Sequence, residues 1–324
     1  MKIKILMPGL FALIFSLGVN ARLPGEGYFI VLNSNDDSVS LIDPKTYKEV
    51  RRFHIGKGPH HLLPTPDDAH VIIGNTMANE LVIMHPKNGN IIKRIKNIAD
   101  PYHFGFSPDG KYFVVNGNRM NHVDVYHYKS LEFGHVTKKT LFYTPSHMAF
   151  DNKNVVYVTL QDSDRLVAID LATMKEKWFV STGRTPAGVW VTPNQEHVLV
   201  GNTSADYVDV FRASDGAHIK KIKTGKGAHN FLPKGDGIHV YISNRVNNTI
   251  SIIDQNKLNV IKTFKVPGGP DDMELRSDAS ELWVTSRWRN RVSVVDTNTY
   301  KVMRTIKVGR SPHGLYYHKH AARN

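Results

Sequence analysis

The sequence predicts an all-β fold: a seven-bladed β-propeller with four antiparallel strands per blade, its ring closed by the C-terminal strand pairing into the first blade. Three observations predict it. A Gly/Pro turn motif returns at a nearly constant period, each period holds four short strands, and the chain ends fall out of step with the blades. The motif begins at Pro59, Pro101, Pro145, Pro186, Gly227, Pro270 and Pro312, in steps of 42, 44, 41, 41, 43 and 42 residues. A fixed period of this length marks a repeat architecture in which each unit buries its apolar faces on its neighbours.

The period that opens at Pro59 shows the grammar. His61-Leu62-Leu63-Pro64 predicts a first strand, and Thr65-Pro66-Asp67-Asp68 a turn with Pro and Asp where turns favour them. His70 to Asn75 is apolar on both faces, as a strand buried between sheets requires. Glu80 to Met84 predicts a third strand. Pro86-Lys87-Asn88-Gly89 turns the chain into a more amphipathic fourth, Ile91 to Ile95. Four such strands per roughly 42 residues make a propeller blade. No stretch reads as a helix of useful length. Tyr28 to Leu32 opens at a second strand, while Pro312 to Tyr317 closes with a lone first strand. The two complete one blade only if they pair, which removes the free sheet edge.

Residues 1–21 read as a cleavable signal peptide: Lys2 and Lys4 precede an apolar run from Ile5 to Val19 and a small-residue exit at Val19-Asn20-Ala21. The expectation is one propeller domain over 22–324, exported to the periplasm or secreted, monomeric, and without a membrane span once the leader is removed. Without Lys2 and Lys4 the chain keeps 40 basic and 29 acidic residues, net +11. That charge favours acidic partners, an acidic protein or nucleic acid among them. Cysteine is absent, which excludes disulfides, thiolate metal sites and thiol nucleophiles.

Strand direction places the residues after each motif start at one rim of the channel, together with the ends of the second strands. Two positions after the start stand His61, His103, His147, Gly188, His229, Asp272 and Gly314; one position after stand His60, Tyr102, Ser146, Ala187, Ala228, Asp271 and His313. The second-strand ends supply Asn202, Asn244 with Arg245, and Arg287, with Arg119 nearby. His60, His61, His103, His147, His229 and His313 are therefore candidate metal ligands at a channel mouth, suited without thiolates to copper or iron. The same histidines can equally be structural locks that bond neighbouring backbone. Asp271 and Asp272, with Glu274, read either as a calcium-like or acid/base site or, as paired acids in a turn more often are, as solvated turn acids, and His318-Lys319-His320 reads as a frayed end. Trp288-Arg289-Asn290-Arg291 is the most concentrated aromatic and basic patch for stacking single-stranded nucleic acid. Walker, HExxH and Ser-elbow signatures are missing.

Val156-Tyr157-Val158-Thr159, Leu282 to Arg287 and Arg291 to Thr299 resemble the YVTN-type, YncE-like propeller family over residues 27 to 318. That resemblance implies the fold and leaves binding protein, enzyme and surface protein open. The rim histidines are distantly similar to those of the nitrous-oxide reductase propeller, departing from it at Gly188 and Asp272, and to the propeller of the nitrite reductase that carries a d-type haem. These likenesses imply a metal ion or a haem-like tetrapyrrole at the rim, with Arg119, Arg245 and Arg287 toward propionates. A ligand-binding protein for delivery or redox chemistry is the leading expectation. An interaction protein using its basic surface and a lactonase-like hydrolase are the alternatives.

Overall fold

A computed structural model describes residues 27–141 and 144–323; the expected signal peptide lies outside the described residues. Those residues form seven four-stranded antiparallel sheets and two short 3-10 turns, with no longer helix among them. The predicted strands at Pro59–Pro64, Val71–Asn75, Glu80–Met84 and Ile91–Lys96 are present in that order across one blade. Ring closure follows the expected route. Pro312–Tyr316 pairs with Phe29–Asn33, bringing Ile30 opposite Tyr316 and Val31 opposite Leu315. Phe29 seals the seam by stacking between Trp283 and Tyr317, centroids 3.7 and 4.2 Å away.

The turns form for a local reason that repeats. Thr65, Ser107 and Thr192 each donate a hydroxyl to the side chain two residues on (Asp67, Asp109, Asn194) and accept the N–H of His70, Tyr112 and His197. Middle strands such as Val71–Asn75 and Glu80–Met84 are buried throughout, whereas the outer Ile91–Lys96 is mostly exposed. Apolar side chains from adjacent blades interlock between the sheets, so each blade is stabilised by its neighbours.

Two expectations are corrected. Ala228, not Gly227, occupies the motif-start position of its blade, because it is Ala228 that pairs with the second-strand end Asn244, as Pro59 pairs with Asn75. His229 therefore stands one position after the start, beside His60 and His313 in the repeat, and Asn230 takes the next. The C-terminal tail is docked rather than frayed: Arg276 bridges His320, Ala321 N–H donates to the Leu275 carbonyl at 2.8 Å, and Arg323 pairs with buried Glu274. Among the described residues no helix is long and apolar enough to cross a membrane.

Candidate metal centre in the channel

Each first strand breaks register with its second strand just after its start, for example between Pro59 and Leu62, Pro145 and Met148, and Pro270 and Met273. A bulge of this kind re-aims side chains. Here two consecutive residues per blade line the channel in two tiers. One tier is His60, Tyr102, Ser146, Ala187, His229, Asp271 and His313. The other is His61, His103, His147, Gly188, Asn230, Asp272 and Gly314. The gap at Gly188 is a packing requirement, since a Cβ there would lie 1.7 Å from the His229 carbonyl oxygen.

Hydroxyls of the second strands hold the bulges in place. Thr159 accepts the His147 N–H and donates to the Ala187 carbonyl, Ser243 accepts the Asn230 N–H, and Thr285 accepts the Asp272 N–H and donates to the His313 carbonyl. Sequence reasoning missed these residues, although Thr159 and Thr285 end the Val-Thr segments that carry the family likeness.

The six histidines meet. Ring centroids of His61 lie 4.5 Å from His103, 4.9 Å from His147 and 4.6 Å from His313, and His60 lies 4.1 Å from His313. Two groups bring one ligand nitrogen per residue within 4.8 Å of one another: His61, His103 and His147, and His60, His61 and His313. His61 Nε2, His103 Nδ1, His147 Nε2 and His313 Nδ1 are buried without a hydrogen-bond partner. Burial, and then the field of the neighbouring histidines, holds the His61 and His147 rings neutral well below the ordinary histidine range. Burial pushes His103 down to about 3, and His229 down to about 4 with help from Arg245.

Asp271 is the centre of a second cluster. It was expected in a solvated turn, yet it lies in the strand Pro270–Leu275 with no exposed surface. Arg245 Nε donates to one carboxylate oxygen at 2.8 Å and Arg287 Nη1 to the other at 3.1 Å; His229 Nδ1 lies 3.1 Å away and His313 Nε2 3.7 Å away. Burial alone would raise this carboxyl, but Arg245, His313 and His229 hold it well below the usual carboxylate range. Asp272 is pushed up to about 7 by burial and by Asp271, and accepts from the Met273 and Leu315 N–H groups.

The remaining candidates lie apart. Arg119 donates to Asp100 through Nε at 3.1 Å and to the Thr76 carbonyl at 2.7 Å, at a half-exposed loop. Asn202 and Asn244 are buried inside their blades, bonded to Asp209 and Ser251. Trp288 is exposed and covers Gly269, with Arg289 and Arg291 also exposed.

The expected open mouth is corrected too. His61, His147, His229 and His313 lie inside the channel, and the cavity that reaches His103 and His147 comes from the opposite face. That cavity, about 600 Å³, passes the first-to-second-strand turns at Pro108, Asp151 and Pro193. Two of the three arginines expected to meet propionates, Arg245 and Arg287, donate to Asp271.

A family model described as YncE-like beta-propeller matches residues 17–323. No curated protein sequence matches the chain. Among solved structures, a functionally unknown protein from Desulfotomaculum acetoxidans DSM 771 is similar at 13% identity and TM-score 0.77, over 90% of this chain and 98% of that one. A putative 6-phosphogluconolactonase from Bacteroides uniformis ATCC 8492 is similar at 13% identity and TM-score 0.71, over 91% and 100%. The dihydro-heme d1 dehydrogenase NirN, solved in complex with DHE, is similar at 14% identity and TM-score 0.63, over 93% and 78%. At these identities the likeness concerns the fold.

Proposed function

Since the chain belongs to the YncE-like β-propeller family, we propose that this member is an exported metal-binding protein whose channel histidines hold one transition-metal ion for delivery. His61, His103 and His147 are the ligands, and copper is the first choice with iron second. One observation carries the reading: three imidazoles converge in the channel, each with a buried ring nitrogen that has no partner. A buried polar group left unpaired costs about 1–3 kcal/mol, and an ion removes that cost at all three together. Nitrogen ligands without thiolate suit copper, iron, nickel and zinc, and affinity along the divalent series peaks at copper. Three protein ligands leave a position open, as release of a carried ion requires.

These residues supply the ligands. The neutral rings need lose no proton to coordinate. Thr159 and Ser146 fix His147, the hydroxyl of Ser146 lying 2.9 Å from its Nδ1 and leaving Nε2 for the ion. Metal analysis of protein purified without an affinity tag tests the proposal. About one equivalent of copper or iron, and a melting temperature raised by adding the ion, are expected. No metal, together with unchanged melting in copper, iron and zinc, would overturn it.

A further inference from the structure

The cavity on the far face has walls of a different character from its floor. Its floor is His103, His147 and Asn230, whereas Trp190, Phe150 and Phe231 supply broad aromatic surface along its sides. The docked tail brings Arg323 to the same cavity. Its guanidinium donates from Nη2 to Glu274 and lies 5.7 Å from the Tyr316 ring centroid, while its Nε is buried without a hydrogen-bond partner. The wall carboxylate, Asp151, is already occupied by the N–H groups of Lys153 and Val155 and by the Tyr157 hydroxyl. A concave cavity of this volume that combines aromatic and aliphatic side chains with polar groups is the form of a small-molecule site. A guanidinium lining such a cavity favours a carboxylate over a neutral group.

We propose that this cavity binds a small planar aromatic carboxylate, its ring system against Trp190, Phe150 and Phe231 and its carboxylate toward Arg323. Neither the aromatic walls nor Arg323 needs a bound ion. The site therefore stands or falls separately from the metal centre, even though its floor is shared with two of the ligands. Trp190 is fixed there by donating its Nε1–H to Gln255 at 2.6 Å, so its ring presents a constant face to the ligand.

The probe is 2-naphthoate, with 2-naphthamide as its neutral counterpart, titrated into the full chain in EDTA and followed by tryptophan fluorescence and calorimetry. Saturable quenching by the acid is expected, with the amide at least about tenfold weaker, the value of one charge-assisted hydrogen bond. Trp190→Phe should remove most of the quenching while calorimetric binding persists. Arg323→Gln should weaken the acid about tenfold or more and leave the amide unchanged, and Arg323→Lys, which keeps the charge and the docked tail, should recover part of the loss. Equal affinity for acid and amide, quenching unaltered in Trp190→Phe, or no binding would each overturn the assignment. Loss of metal binding with naphthoate binding retained would leave this site intact and remove only the metal centre.

Discussion

Two clusters share the channel, centred on adjacent tiers and adjacent positions of the same repeat, and they differ in whether their polar atoms are satisfied. Around Asp271 both carboxylate oxygens meet arginine, with two imidazoles close by. His61, His103 and His147 bring one ring nitrogen each within 4.8 Å of one another, and each ring carries a buried nitrogen without a hydrogen-bond partner. The first is a finished ionic lock across three blades. The second is a set of donors arranged for something else. Burial and charge alone do not tell a site from a lock; unmet hydrogen-bonding capacity does.

The largest effect is expected in acid, through His103 in the unsatisfied set and His229 beside Asp271. His103 and His229 have folded values of about 3 and 4 against 6.5 in the unfolded chain. Between those limits the unfolded state binds more protons, so stability falls as pH drops below 6.5, by up to about 1.4 kcal/mol per unit for each such ring. Asp272 opposes this, since its raised value adds stability as pH falls from 7 toward 4, and the raised carboxyls of Asp100 and Glu274 act in the same sense, but the six channel histidines, all held low, outnumber them. The Asp271 lock stays charged throughout. Urea unfolding at pH 7 and 5 should therefore show a marked loss of stability, and added copper should reduce it by competing for the same nitrogens. Equal stability at the two pH values would mean that these rings do not stay neutral in the folded state.

Removing the centre of the lock comes next. Asp271→Asn leaves Arg245 and Arg287 without their counter-charge, and breaking a buried ion pair from one side costs about 3–5 kcal/mol. A much smaller change in urea unfolding would show that water already reaches these arginines. The smallest effect on stability belongs to the ligand set. His103→Leu removes an unsatisfied nitrogen as well as some packing, so unfolding free energy should shift by no more than about 1 kcal/mol, while copper affinity falls by two orders of magnitude or more. Strong destabilisation by this change would recast His103 as a structural lock.

The fold was legible because its cause is local and repeated seven times: turn chemistry at Thr65 to Asp67 and its counterparts, buried middle strands, and chain ends one strand out of phase. The site was legible only in part. Repeat position identified the six histidines, but Gly227, a plausible turn residue, hid the true start at Ala228 and misplaced His229 by one. Asp271 occupies the same repeat position as His60 and His313, yet an Asp-Asp pair looks like a surface turn until Arg245 and Arg287 are seen to close on it. Asn202 and Asn244 end their second strands and Arg119 lies in the turn after its own, and only the folded chain reveals that their side chains bond Asp209, Ser251 and Asp100. The open end of the channel depends on how fully seven blades fill the other end, which no single repeat encodes.

Copper coordination is the most direct measure of the central claim. Titrating Cu(II) into tag-free protein and recording its electron paramagnetic resonance spectrum should give one tightly bound equivalent with nitrogen splitting from three imidazoles, lost in a His61→Ala/His147→Ala double variant. A wild-type spectrum of weak, multiple sites that is unchanged in the double variant would contradict it.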